Sequence, residues 1–169
     1  MHERASFLRD AIFAASDGIV TTFAVVAGSA GAAFDPTVAL ILGFANLFAD
    51  GFSMASGTYL GVKSKMEYEK AEGDKHEDEP SPLMQGFVTF LSFNIAGFVP
   101  LMPYVFNFPN KFESSLVLVF ALLFAIGMVR SRFTRKGLVR SGIEMLFIGG
   151  FAAVVAYFTG ELIEKLVMQ

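Results

Sequence analysis

Five apolar runs, each about as long as a helix needs to cross ~30 Å of hydrocarbon, decide what this 169-residue chain can fold into. They lie near residues 11–33, 37–62, 83–106, 114–132 and 142–163 and leave little sequence over. In lipid, every backbone N–H and C=O must find its partner inside the protein, so such runs become helices. The expected fold is therefore all-α: a polytopic membrane protein with five transmembrane helices per protomer, one transmembrane domain spanning 1–169. Composition agrees, since 54% of residues are hydrophobic and only 17% charged, far from the soluble globular average. Phe34-Asp35-Pro36 reads as a tight turn between the first two helices, Pro100 and Pro103 imply a kink near the outer end of the third, and Arg130 and Arg132 lengthen the fourth by reaching for the interface.

The charges that remain set the topology. With the N-terminus cytoplasmic, that side holds Arg4, Arg9, Lys63, Lys65, Lys70, Lys75, Arg130, Arg132, Arg135, Lys136 and Arg140, against Lys111 and Lys165 opposite. Positive charge in short loops stays inside, so the N-terminus is expected in the cytosol and the C-terminus across the membrane. Residues 63–82 then read as a short acidic cytoplasmic loop. The first span carries an acid and runs on without a loop, which reads as an insertion signal and not as a cleaved leader. The short chain favours a plasma (inner) membrane, with a vacuolar membrane as the alternative.

Several chemistries are excluded. There is no cysteine, which removes disulfides, thiolate zinc sites, iron–sulfur clusters and cysteine nucleophiles. The basic residues flank spans and form no stripe for nucleic acid. No Gly-rich phosphate loop, GxSxG or HExxH occurs, neither histidine falls in a predicted span, and the Glu-x-x-His pair of helical ferroxidase centres is missing. The expectation is a protein that is not an enzyme and needs no cofactor.

What stands out instead is acid inside lipid. The stretch ASDGIVTTFAVVAGSAGA places Asp17 within the first span, at a cost of roughly 2.5–3.5 kcal/mol on insertion scales, which makes it a functional candidate. Asp50 and Glu144 share the problem. Glu144 lies one turn beyond Arg140, as a structural ion pair would, whereas Asp17 and Asp50 have no cation within sequence reach. With 1.5 Å of rise per residue, Asp17 lies about 9 Å in from the cytoplasmic end of its helix and Met54 about 12 Å in from that of the second. Adjacent antiparallel helices would bring them level. Asn46, Asp50 and Met54 recur every four residues and share one face, while Thr21 stands a turn above Asp17.

Carboxylates alone would suit Mg, Ca or protons, and a thioether at their level biases a site toward ferrous iron and similar metals. Met54 equally fits the role of packing filler. In KMEYEKAEGDKHEDEPSP, Glu67, Glu69, Glu72 and His76 either gather cations by their field or form a solvated charge run. Small residues pair at helical spacing in Gly28 with Gly31, Gly57 with Gly61, and Ala152, Ala156 with Gly160. They serve either packing within a protomer or a dimer face. A short echo links SDGI (Ser16 to Ile19) with ADGF (Ala49 to Phe52).

SDGIVTTFAVVAGSAGA resembles the first-helix signature of the vacuolar iron transporter family. GFANLFADGFSMASGTYLG resembles the family's second helix, SPLMQGFVTFLSFNIAGFVPLMPYVF its third and RSGIEMLFIGGFAAVVAY its fifth. The resemblance implies five-helix protomers that form a homodimer. It also implies a path between subunits carrying ferrous iron, and in some members manganese, out of the cytosol in exchange for protons. The family's first-helix aspartate and second-helix methionine, both on the metal pathway, fall on Asp17 and Met54. Many members insert a long glutamate-rich cytoplasmic domain between helices two and three, so this chain resembles a short form. Thr58 stands where many members have an acid. The expected function is proton-coupled export of divalent transition metal through Asp17, Met54, Asp50 and Asn46. The alternatives are a non-transporting structural module and a transporter of another cation.

Overall fold

The computed structural model describes residues 2–73, 81–134 and 137–167, and all regular structure among them is helical. The helices are α1 (His2–Gly31), α2 (Pro36–Ala71), α3 (Pro82–Gly97), the short α4 (Met102–Val105), α5 (Lys111–Thr134) and α6 (Leu138–Val167), with a 3-10 turn at Val99–Leu101 between α3 and α4. Five segments are long and apolar enough to cross a membrane: Ser6–Gly31, Pro36–Ala71, Pro82–Val105, Lys111–Arg132 and Leu138–Val167. The chain is a multi-pass membrane protein, as the apolar runs require.

Several helices run past the expected apolar spans, the first starting at His2 and the last covering Leu138–Val167. The second helix does not stop near residue 62 but continues to Ala71, so the first part of the acidic loop is helical. At 36 residues, α2 is about 54 Å long and its last turns lie beyond any hydrocarbon core. What holds those turns is local: Lys63 pairs with Glu67 at 3.9 Å and Lys65 with Glu69 at 3.6 Å, both at i,i+4, with good helix formers around them. The chain leaves the helix at Gly73, whose φ of +82° suits a residue without a Cβ. In the third span the kink is a full 3-10 turn. Pro100 has no N–H to offer the Ala96 carbonyl, and Leu101 N–H instead donates to the Phe98 carbonyl, three residues back, at 3.0 Å. Ser115 on α5 donates its hydroxyl to the Pro100 carbonyl at 2.8 Å.

The α1–α2 turn is built from capping. Ala33 takes the left-handed conformation at φ +51°, and Phe34 N–H closes on the Ser29 carbonyl at 2.9 Å, the six-to-one bond of a Schellman ending. Asp35 caps α2, accepting from Thr37 N–H at 2.8 Å, with Pro36 in the first turn where its missing N–H is harmless.

α1 and α3 sit at the centre: α1 touches α2, α3, α5 and α6, while α2 packs on α3 and α5 on α6. Ile19, Phe23, Val26, Phe93, Leu101, Val119 and Leu123 form the core, with Phe23 stacked on Phe112 at 6.1 Å between ring centres. On α5 and α6, Glu144 stands between Arg140 at 3.7 Å and Arg130 at 3.8 Å, so its ion pair reaches across two helices.

The small residues divide into two surfaces. Gly28 and Gly31 on α1 seat the backbone of α6: a Cβ on Gly28 would touch the Ala156 carbonyl oxygen at 3.4 Å, one on Gly31 would collide with the Tyr157 carbonyl, and one on Gly160 with the Gly28 carbonyl. That set is packing within one chain. Gly57 and Gly61 have nothing within 4 Å. They end a row of small residues on α2, Ala45, Ala49, Ser53, Gly57 and Gly61, all exposed.

Gly31→Ala would drive a methyl into backbone atoms, the Tyr157 carbonyl carbon at 2.9 Å and Glu161 N at 3.2 Å, which cannot rotate away. The variant is expected to lose about 1–3 kcal/mol, seen as a lower midpoint in a circular dichroism melt, while Gly137→Ala, facing only Arg140 Cβ at 3.9 Å, keeps the wild-type midpoint. The Thr37 hydrogen bonds, with Lys111 nearby, hold the Asp35 carboxyl below its ordinary 3.8. A depressed folded-state value means the cap's contribution is complete above 3.8 and is lost as pH falls through the lower folded-state value. Asp35→Asn, which still caps, should therefore flatten that acid-side loss in melts recorded against pH.

Candidate functional site

The two Asp-Gly pairs turn out to share a purpose. Gly18 lets α1 approach the Phe93 backbone, where its Cβ would meet Phe93 Cα at 3.2 Å, and Gly51 lets α2 approach the same residue, where its Cβ would meet Phe93 Cδ1 at 3.2 Å and Asn94 Nδ2 at 2.5 Å. Gly97, one turn on, lies so close to α1 and α2 that a Cβ on it would stand 2.8 Å from the Gly18 carbonyl oxygen and 2.6 Å from Leu47 Cδ1. Three helices therefore meet in one layer at Phe93. Each glycine faces α3, and the aspartate before it is turned about 100° round its helix. Asp17 and Asp50 are both half-buried, at one depth, and close enough for their charges to interact. Among the described residues neither carboxylate has a hydrogen bond or an ion pair.

The sequence-based pairing of depths is refined by this layer. The acid level with Asp17 is Asp50; Met54 lies four residues further along α2, about 6 Å toward its C-terminal end. Met54 is half-buried and packs against the hydrophobic core. Asn46, a turn before Asp50, is half-buried, and its Nδ2 is buried without an acceptor. By helical geometry the row Asn46, Asp50, Met54 lies between the α3-packed row of Leu47 and Gly51 and the open row of Ala49, Ser53 and Gly57. The Thr21 hydroxyl donates to the Asp17 backbone carbonyl at 2.9 Å, so it serves the helix and not the carboxylate.

Sequence reasoning missed α3. Asn94, in the run LSFNIAG, is half-buried beside Gly51, and its Oδ1 is buried with no donor. Gln85 is almost fully buried with Oε1 unpartnered, and Thr89 donates to the Thr58 hydroxyl at 3.3 Å. Thr58 is thus spent here on an α2–α3 contact. Four polar residues within one apolar span, Gln85, Thr89, Ser92 and Asn94, were the available signal.

The acidic segment offers no ready cluster. Glu67 and Glu69 stand on different sides of α2 and are paired with lysines, Glu72 accepts from the Tyr68 hydroxyl at 2.8 Å, and His76 lies outside the described residues. Among the described residues no three His, Cys, Asp or Glu side chains gather as a metal site would require. Two open grooves, about 460 and 420 Å³, lie between the C-terminal halves of α1 and α6 and beside the α1–α2 turn, and neither is lined by Asp17, Asp50, Asn46 or Met54.

Comparison with known proteins gives this layer a context. The family model described as VIT family matches residues 8–79 and 73–161. Vacuolar iron transporter homolog 2 of Arabidopsis thaliana is 28% identical over 169 residues, covering 95% of this chain and 86% of the relative. Vacuolar iron transporter homolog 4 of Arabidopsis thaliana is 30% identical, covering 92% of this chain and 83% of the relative. The Vacuolar iron transporter of Toxoplasma gondii is 24% identical over 230 residues, covering 96% of this chain and 76% of the relative. That last alignment is longer than the 169-residue chain itself, so the Toxoplasma protein holds inserted residues that the Arabidopsis homologs and this chain lack. Over nearly its whole length, then, this chain belongs to the VIT family, in a short form, and the family's members are membrane transporters of metal ions and not enzymes.

Proposed function

We propose that this chain exports divalent transition metal, ferrous iron and manganese, from the cytosol in exchange for protons, and that it does so as a homodimer with its N-terminus in the cytosol. The observation that carries this reading is the meeting of Asp17 and Asp50 in one layer of an apolar helix bundle, with no ion pair to either among the described residues. Two carboxylates in such surroundings are neutralised either by protons or by a dication. Binding of metal then releases protons, and arrival of protons releases metal. Met54 adds a thioether a turn away, which favours ferrous iron over magnesium or calcium, and Asn46 continues the polar row beyond Asp50. The names of the relatives, vacuolar iron transporters, support iron as cargo. They are named for the vacuole, which lends no support to the plasma membrane favoured from chain length; in either membrane the same face meets the cytosol.

Support for the dimer comes from α2. The row Ala45, Ala49, Ser53, Gly57 and Gly61 is exposed, runs beside the polar row and would let a second helix approach closely. A second copy packed there would enclose Asp17, Asp50 and Met54 in a path that one chain leaves open. Glu67, Glu69 and Glu72, paired as they are, act through their field at the cytosolic mouth.

Purified protein in liposomes that enclose a metal-sensitive dye and an acidic lumen is expected to take up ferrous iron and manganese in exchange for protons and to alkalinise the lumen in step. Asp17→Asn keeps size and polarity but loses charge, and its initial rate should fall by about tenfold or more, the scale of one lost charge-assisted contact. Absence of flux for both metals with the wild-type chain defeats the exporter reading; undiminished flux in Asp17→Asn removes that residue from the path.

A further inference from the structure

Asn94 is an unexpected residue for its place. It sits on α3 among Phe90, Phe93 and Ile95, in an apolar span that also buries Gln85 and Thr89. Its Nδ2 donates to the Phe90 carbonyl one turn back at 2.8 Å. The same atom lies 2.5 Å from where a Cβ on Gly51 would stand, so the missing side chain of Gly51 makes room for this amide at the residue that follows Asp50. Its Oδ1 is withdrawn from solvent and accepts nothing, while one helix away Asn46 Nδ2 is withdrawn and donates to nothing. A buried carbonyl oxygen left without a donor is rare and calls for an ion or a water. Here an orphan acceptor lies at the layer that holds two carboxylates without an ion pair among the described residues, and an orphan donor lies one turn along the facing helix.

We propose that Asn94 is a specificity-determining residue of the transport path: its Oδ1 takes up the passing divalent cation beside Asp50, directly or through a water of the cation's own shell. This rests on the exporter reading and deepens it. An amide oxygen is a hard, neutral donor. It suits manganese and ferrous iron better than zinc, which prefers nitrogen and sulfur, and it adds a ligand without adding negative charge that would hold the cation back. The donor set then spans three helices of one chain, with acids from α1 and α2 and an amide from α3.

The test is a ranking. In dye-loaded proteoliposomes, Asn94→Leu, of nearly equal volume, is expected to raise KM for Mn2+ about tenfold, the scale of one contact to a charged group, with a much smaller change for Zn2+. Asn94→Asp, which restores an oxygen at the same reach, should return the Mn2+ preference. Should Asn94→Leu fail to fold, Asn94→Ser, which draws the oxygen back from Gly51, is expected to show the same loss of preference. An unchanged Mn2+ to Zn2+ ratio, whether total flux is kept or uniformly reduced, overturns the proposal and leaves Asn94 a structural residue. Titration of purified protein with Mn2+ in detergent decides the matter apart from flux: equal affinity in wild type and Asn94→Leu also overturns it. A wild-type chain that binds Mn2+ through Asn94 yet moves no metal would defeat the exporter reading alone.

Discussion

The arrangement depends on one close approach, that of α1 to the backbone of α3 at Phe93 and of α2 to the side chains of Phe93 and Asn94. Gly18 and Gly51 make it by having no side chain on the α3 side. In lipid there is no hydrophobic drive to bring helices together, so dispersion between closely fitted backbones carries the association. Each glycine is preceded by an aspartate. The packing requirement on one residue thus fixes the position of the acid beside it, and the two acids arrive at the same depth because both helices dock on the same residue. Packing thus positions the two acids through the chain itself.

The second organising fact is the division of small residues. Gly28, Gly31 and Gly160 are consumed by the α1–α6 contact, where carbonyls of one helix lie against the other's backbone. Gly57 and Gly61 are left open. A helix that has spent its small residues inside the chain presents bulky groups to the outside, as α6 does with Phe147, Phe151 and Phe158. α2 does the reverse along the row from Ala45 to Gly61, and its polar row Asn46, Asp50 and Met54 borders that open strip. A lipid-facing helix gains nothing from such a strip, whereas a helix that meets another backbone does.

The helical extension of α2 past the membrane shows how local electrostatics sets a boundary that hydropathy cannot. Lysines and glutamates at i,i+4 spacing, Lys63 with Glu67 and Lys65 with Glu69, are individually weak, since exposed pairs contribute well under about 1 kcal/mol each. They act on a helix whose nucleation is already complete within the membrane, so each added turn has only its own small cost to offset. The longer relatives, such as the Toxoplasma protein, hold inserted residues that this chain lacks.

Most of the fold was legible in the sequence, because the bilayer admits few solutions: runs such as 114–132 become helices, and Asp35-Pro36 starts one. Asp17 and Asp50 were legible as candidates, since ionisable groups in apolar runs stand out. Met54 was legible only as one of two readings, filler or ligand, because a thioether fits both. Tertiary structure decided which acid lies level with Asp17, which glycines are spent inside the chain, and that Asn94 stands beside Gly51. Those facts come from contacts between residues far apart in sequence, Gly18 with Phe93 and Gly51 with Asn94, and helical periodicity says which face a residue occupies but not which helix that face meets.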